Sequence, residues 1–202
     1  MRLAVTNLSG ERGGELIFSG LSFDVEAGSA VLVTGPNGVG KSTLLRIIGG
    51  LLSPAEGTIE FSGGGEAWPT AGSAAHYLGA TNAMKPALSV EENLSFWRSF
   101  LGEHRCTVDE ALDRVGLLDI AHLPFGYLST GQRRRVAIAR LLMCYRPLWL
   151  LDEPTSGLDK RSEARFTELM RDHLASGGMI VAATHLPLGL EKSQELQMVT
   201  NR

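Results

Sequence analysis

Gly35-Pro36-Asn37-Gly38-Val39-Gly40-Lys41-Ser42-Thr43 decides the fold of this chain. It fits the pattern G-x-x-x-x-G-K-[ST]. Immediately before it, Ala30-Val31-Leu32-Val33-Thr34 is a short apolar, β-branched run of the kind that forms a buried strand. After it, Leu44, Leu45, Ile47 and Ile48 recur at helical spacing until Gly49-Gly50 ends the helix. A glycine-rich turn between a strand and a helix aims backbone N–H groups toward the positive end of the helix dipole. That nest suits a polyphosphate. Lys41 is placed to reach the β- and γ-phosphates, and the Ser42 hydroxyl to ligate Mg²⁺. The stretch reads as a site for ATP or GTP.

Working outward, the N-terminal side predicts strands over Leu3–Leu8, Leu16–Phe18 and Leu21–Val25. The last alternates cleanly, as a half-buried antiparallel strand does. Beyond the loop, Pro54 to Gly57 is a turn, Thr58–Phe61 a strand, Gly63 to Gly72 a loose loop, and Ala74–Gly79 a further short strand. Then the character changes. Ser89-Val90-Glu91-Glu92 and Thr107-Val108-Asp109-Glu110 are capping boxes. They predict helices from Val90 to about Leu101 and from Thr107 to a stop at Gly116. A third helix starts near Gly131, with Val136, Ala139, Leu142 and Met143 on one face. Residues from about 84 to 145 therefore form a helical insert in an α/β core of about 1–83 and 146–202. The core resumes with Leu148-Trp149-Leu150-Leu151, a buried parallel strand by its apolar run. A helix over about Lys160–Leu174 and a strand over Met179–Thr184 follow.

Two further stretches carry chemistry. Leu148–Leu151 ends in Asp152-Glu153, and a carboxylate at the C-terminal end of a parallel strand beside a phosphate loop sits where Mg²⁺ does. Asp152 is the metal-side acid. Glu153, one residue on, points elsewhere and is placed to take a proton from an attacking water. His185 closes the last strand in the same way and is expected at the γ-phosphate or that water. Leu128-Ser129-Thr130-Gly131-Gln132 precedes a helix bearing Arg133, Arg134 and Arg135. Ser129 is a good N-cap. A helix N-terminus with a hydroxyl and glycine amides is also an anion site. Lying on the insert, it is better placed to serve a second subunit's phosphate than its own.

The totals bound the rest. The chain has 202 residues, 44% of them hydrophobic, which is enough for one α/β domain with a small inserted subdomain. The net charge of −3 gives no reason to expect nucleic acid. Cys106 and Cys144 stand apart, outside any zinc or haem-attachment spacing, and read as free thiols. Arg2 to Asn7 already reads as a strand rather than a targeting segment. No run approaches 18 uninterrupted apolar residues.

These stretches together resemble a known family. Gly35–Ser42 resembles the Walker A motif, and Leu128–Gln132 resembles the ABC signature Leu-Ser-Gly-Gly-Gln with Thr130 in place of the first glycine. Leu148–Glu153 resembles Walker B plus the catalytic glutamate, Ser156-Gly157-Leu158-Asp159 the D-loop, and His185 the H-switch. The chain is thereby similar to ABC-transporter ATPase domains. The resemblance implies a P-loop NTPase core with a mainly parallel sheet, an N-terminal antiparallel β subdomain and an inserted helical subdomain. It also implies ATP and Mg²⁺ as cofactors, hydrolysis by Glu153 with His185 and Lys41, and a homodimer on ATP binding. In that homodimer the partner copy supplies the signature residues Leu128 to Gln132. The run Leu128–Val136, Pro147–Pro154 and Thr184-His185-Leu186-Pro187-Leu188 further resemble the ATP-binding subunits of the haem exporter of cytochrome c maturation. That finer likeness implies an integral membrane partner, on the cytoplasmic face of the bacterial inner membrane. An ABC ATPase for another substrate, or a soluble regulatory one, is the alternative.

Two positions depart from the family pattern. The aromatic residue that stacks on adenine is replaced by Arg12, whose guanidinium plane can also stack on a base; Phe18 is the nearest aromatic substitute. The glutamine of the Q-loop is expected at Ala80, and no glutamine lies nearby, only Thr81 and Asn82.

Overall fold

Ala30–Thr34 lacks a polar face, and it lies inside a parallel sheet, where both faces of a strand are covered. The computed structural model describes residues 1–102 and 104–199. In chain order the elements are β1 (Arg2–Arg12), β2 (Glu15–Glu26), β3 (Ala30–Thr34), α1 (Lys41–Ile48), β4 (Glu56–Ser62), α2 (Ala71–Ala74) and β5 (Ala75–Leu78). They continue with α3 (Val90–Leu101), α4 (Val108–Val115), α5 (Thr130–Met143), β6 (Leu148–Asp152), α6 (Lys160–Ala175), β7 (Met179–Ala183) and β8 (Ser193–Gln197). Contacts gather them into two units. One comprises residues 1–79, 147–154 and the chain from Met170 onward; the other comprises Ala80–Arg146 and Thr155–Leu169.

The first unit holds both sheets. Antiparallel β2-β1-β4 forms one, and parallel β5-β6-β7-β3-β8 the other. The core lies where α1 meets the strands: Leu44, Leu45 and Ile48 bury with Leu3, Val33, Leu150 and Val181. β6 and β7 are buried at every position, as their unbroken apolar runs predict.

Three features differ from the sequence expectation. β2 is one strand rather than two short ones, because Gly20 takes a left-handed φ of 69° and the chain continues through it. The pairing with β1 shifts register on both sides of that point, as at a β-bulge. The loose loop up to Gly72 ends in the single-turn α2, closed by a reciprocal Thr70–Ser73 capping box. β8 carries no apolar pattern at all; Ser193–Gln197 is a mostly exposed edge strand, recruited by backbone pairing to β3 and by a Thr34 hydroxyl donating to Glu195 Oε1 at 2.7 Å.

In the second unit the capping boxes do what their spacing predicts. Ser89 with Glu92 opens α3, and Thr107 with Glu110 opens α4, which stops at the left-handed Gly116. The single apolar face expected for α5 is a correction. Val136, Ala139, Leu142 and Met143 are buried, but so are Arg134, Ala137, Ile138, Arg140 and Leu141. A helix covered nearly all round is an interior helix, and α5 packs against both α3 and α4. The Arg140 guanidinium, 4.6 Å above the Trp97 ring, is pushed down to about 10 by burial.

Candidate active site

The loop between β3 and α1 is built on glycines in backbone conformations that other residues rarely adopt. Gly35 and Gly40 hold φ of 136° and 108°, and Gly38 of 84°. A Cβ at Gly35 would run into the Met198 carbonyl oxygen; at Gly40 it would come within 2.7 Å of Ile17 and 2.9 Å of Phe18. The start of α1 differs from those of the other short helices. α2, α3, α4 and α5 each close with a capping box, whereas α1 begins at left-handed Gly40 with no side-chain cap and no acid in its first turn. Its first N–H groups therefore remain available to an anion.

Sheet order explains which side chains meet. β7 lies between β6 and β3, so the C-terminal ends of all three strands sit side by side. Glu153 follows β6, His185 follows β7, and the loop follows β3. Thr184 is buried, and its hydroxyl donates to the Leu186 carbonyl at 2.8 Å while accepting the Leu186 N–H at 3.0 Å, a tight turn that presents His185. His185 Nε2 then lies 3.0 Å from Lys41 Nζ, 2.9 Å from Asn37 Oδ1 and 3.5 Å from Glu153 Oε1. Lys41 also donates to the carbonyls of Gly35 at 2.7 Å and Pro36 at 3.2 Å, which fixes the curl of the loop. Glu153 holds a left-handed φ of 44°, and its N–H donates to Ala183. A left-handed φ at a non-glycine residue is a strained conformation of the kind that collects at functional sites.

Lys41, Ser42, Thr43, Asn37, Gly38, Gly40, Asp152, Glu153, Arg12 and Ile17 line one open pocket of about 210 Å³. Ser42 and Asp152 supply a hydroxyl and a carboxylate oxygen to it. Two oxygen donors with room for water and phosphate oxygens fit Mg²⁺, which keeps several waters and takes few protein ligands. Asp152 is only 6% exposed. The Tyr77 hydroxyl donates to its Oδ2 at 3.4 Å, and Arg46 Nε donates to that hydroxyl at 3.5 Å. Burial pushes the Tyr77 phenol above its usual range, so it stays a donor at neutral pH. Tyr77 and Arg46 escaped the sequence reading. The signal was faint: one hydroxyl in the otherwise apolar end of a strand that neighbours β6.

Arg12 stands at the end of β1 on the rim of this pocket. The alternative aromatic, Phe18, is a correction. It is 2% exposed with its ring against Gly10 and Gly40, so it presents no face to a base; Ile17 lines the pocket instead. Val39 is buried in the core and Pro36 is exposed.

The other motifs lie in the second unit. Ser129 caps α5: its hydroxyl accepts the Gln132 N–H at 3.2 Å, and Gln132 Oε1 accepts the Ser129 N–H at 2.8 Å. Ser129 and Thr130 remain exposed, and Leu128 is buried. Gly131 and Gly157 approach closely; a Cβ on Gly131 would be 3.0 Å from the Gly157 carbonyl oxygen. Asp159 caps α6 by accepting the Ser162 N–H at 2.8 Å, a bond that holds its carboxyl below the usual range. Ala80 and Thr81 are exposed, and Ala83 has a left-handed φ of 54°.

A phosphate loop, a strand-end acid pair and a strand-end histidine on a parallel sheet define a nucleotide-hydrolysing cassette. The model of the ABC transporter family matches residues 18–156, and the chain belongs to that family, as an ATPase of the ABC class. Its relatives are more particular. The cytochrome c biogenesis ATP-binding export protein CcmA of Chelativorans sp. (strain BNC1) is 71% identical over 198 residues, covering 98% of each chain. The protein of the same name from Mesorhizobium japonicum is 66% identical over 198 residues, again covering 98% of each. Among solved structures, a putative ABC transporter ATP-binding protein from Pyrococcus furiosus superposes with a TM-score of 0.81 at 25% identity, covering 97% of this chain and 98% of that one. A dimeric ATP-binding cassette in a post-hydrolysis state, bound to ADP and Pi, shares the fold with a TM-score of 0.82 at 24% identity, covering 97% and 94%.

Proposed function

We propose that this chain hydrolyses ATP to drive a separate integral membrane subunit in cytochrome c biogenesis, with haem as the cargo exported or handled. The observation that carries the chemistry is the convergence of Lys41, Asn37 and Glu153 on His185, these three lining one pocket together with Ser42 and Asp152. The names of the relatives support the biological setting.

The backbone N–H groups of the loop and the Lys41 ammonium hold the polyphosphate. Ser42 and Asp152 would hold Mg²⁺, which would supply positive charge to offset that of the phosphates. Glu153 accepts a proton from a water as that water's oxygen attacks the γ-phosphorus, and the bond to the ADP oxygen breaks. His185 steadies the γ-phosphate, and Arg12 stacks on adenine. Ser129 and Gly131 of a second copy complete each site, so ATP joins two copies head to tail and hydrolysis releases them. Two solved cassettes that share this fold are dimeric. Asp159 of the D-loop belongs to the same interface.

The helical subdomain of about 84–145 is the docking surface for the membrane subunit. On α3, Phe96 and Phe100 are 54% and 70% exposed and stack on each other with ring centroids 6.0 Å apart. Among the described residues no helix is long and apolar enough to cross a membrane. In the proposed export system the chain is held at the cytoplasmic face of the inner membrane through its partner.

The test is genetic and enzymatic together. Purified full-length chain is expected to release phosphate from ATP. Deleting its gene is expected to abolish covalent haem in c-type cytochromes by haem staining, with restoration by the wild type and not by Glu153→Gln. Normal haem staining in the deletion strain overturns the assignment to cytochrome c biogenesis.

A further inference from the structure

We propose that Tyr77 is a positioning residue for the Asp152 carboxylate, and that with Arg46 it sets how tightly this chain uses Mg²⁺ with nucleotide. The inference rests on the reading of Asp152 and Ser42 as the metal-side oxygens.

Three elements of the first unit meet at this point. Tyr77 stands on β5, paired in register with Leu150 of β6, two residues before Asp152. Its hydroxyl reaches along the strand to Asp152 Oδ2 at 3.4 Å. Arg46, on the last turn of α1, donates Nε to the same hydroxyl at 3.5 Å. A phenol that accepts from a guanidinium donates more strongly to a carboxylate, so the order Arg46 to Tyr77 to Asp152 is cooperative. The ring itself is held in place. A Cβ on Gly79 would lie 2.7 Å from Tyr77 Cε1, so the absence of a side chain at 79 is what lets the ring lie flat beside the strand end. Asp152 has two carboxylate oxygens. With Oδ2 engaged by Tyr77, the carboxylate cannot turn freely, and its orientation toward the pocket is held.

The arrangement also answers the missing glutamine. Ala80 offers no polar side-chain group, whereas Tyr77, three residues earlier, reaches the metal-side acid with its hydroxyl. In this chain the polar link between that strand and the metal site runs through a phenol.

The experiment measures binding of a fluorescent ATP analogue to full-length protein in EDTA and across a Mg²⁺ titration, with phosphate release alongside. Tyr77→Phe keeps the ring beneath Gly79 and removes only the hydroxyl. It is expected to raise the half-saturating Mg²⁺ about threefold to tenfold, the effect of one modest hydrogen bond, while leaving affinity in EDTA within twofold. Arg46→Gln is expected to shift Mg²⁺ use in the same direction by less. Gly79→Ala, which displaces the ring without removing the hydroxyl, is expected to match Tyr77→Phe. Asp152→Asn is the control for the underlying reading. If Asp152→Asn raises the Mg²⁺ requirement and Tyr77→Phe does not, the positioning role is overturned and the metal reading stands. Equal weakening by Tyr77→Phe with and without Mg²⁺ also overturns it, because the ring then serves packing alone. If Asp152→Asn leaves Mg²⁺ use unchanged, the metal reading itself falls and the proposal with it.

Discussion

Lys41 Nζ lies 3.0 Å from His185 Nε2 although 144 positions separate them in sequence. The same ring nitrogen is 2.9 Å from Asn37 Oδ1. A γ-phosphate held by Lys41 is therefore within reach of His185 without any rearrangement of the strands. His185→Ala is expected to lower phosphate release by roughly 10²–10³-fold, as loss of one preorganised transition-state donor does. Affinity for the ATP analogue is expected to stay within threefold. Turnover near the wild-type rate would remove His185 from the chemistry.

Glu153 holds a left-handed backbone next to Asp152, and the mechanism proposed above gives the two adjacent carboxylates different jobs. Glu153→Gln keeps size and polarity but cannot accept a proton. It is expected to bind ATP normally and lose roughly 10²–10⁴-fold in turnover. A single-turnover measurement with excess enzyme checks this, and a near wild-type rate would show that another base acts.

Gly35→Ala tests the loop rather than the chemistry. Its φ of 136° and the Met198 carbonyl directly in the path of a Cβ leave no space for a methyl group. A strained residue of this kind costs about 1–3 kcal/mol, before the clash is counted. Lower thermal stability together with loss of nucleotide binding is expected. Wild-type melting and binding would mean that the loop takes another conformation in solution.

Ser129 does two things in the reading above, and one substitution separates them. Its hydroxyl caps α5, so Ser129→Ala is expected to cost about 1 kcal/mol in stability. Ser129→Asp retains the cap but brings a negative charge to the surface proposed to meet a second copy's γ-phosphate. Stability near wild type with loss of ATP-dependent dimerisation is expected, read by light scattering in the Glu153→Gln background without Mg²⁺. Undiminished dimerisation of Ser129→Asp would place the signature outside the nucleotide interface.

Ala80→Gln restores the side chain that the family pattern expects. On the proposed metal site of Ser42, Asp152, phosphate oxygens and water, basal phosphate release is expected to change by less than about tenfold, a barrier difference of roughly 1.4 kcal/mol. Ser42→Ala is expected to lose far more. A gain of several orders of magnitude in Ala80→Gln would identify the loop as a degraded site.

How much of this was legible in sequence depends on the range of the interactions involved. The glycine spacing of 35–40, the apolar runs of β3, β6 and β7, and the caps at Ser89, Thr107 and Ser129 are local. Each is satisfied by residues within a few positions, so spacing alone places it. The strand-end positions of Asp152, Glu153 and His185 followed from the same runs. β8 was invisible, because an exposed edge strand is held by backbone hydrogen bonds to β3 and leaves no apolar pattern to read. The single face assigned to α5 failed for the opposite reason: its C-terminal half is buried all round, and packing such as that against α3 and α4 leaves no trace in the helix's own period.

By itself the sequence determined that a phosphate loop opens α1, that acids end β6, and that a helical stretch interrupts an α/β core. Only the tertiary structure decided that β7 lies between β3 and β6, which is why one imidazole reaches both Lys41 and Glu153. It likewise decided that Phe18 turns into the core while Arg12 faces the pocket, and that Tyr77 meets Asp152. Strand order and register are set by the sum of many weak pairings across the sheet. No short stretch of residues carries that sum, so which distant side chains become neighbours is a property of the folded sheet.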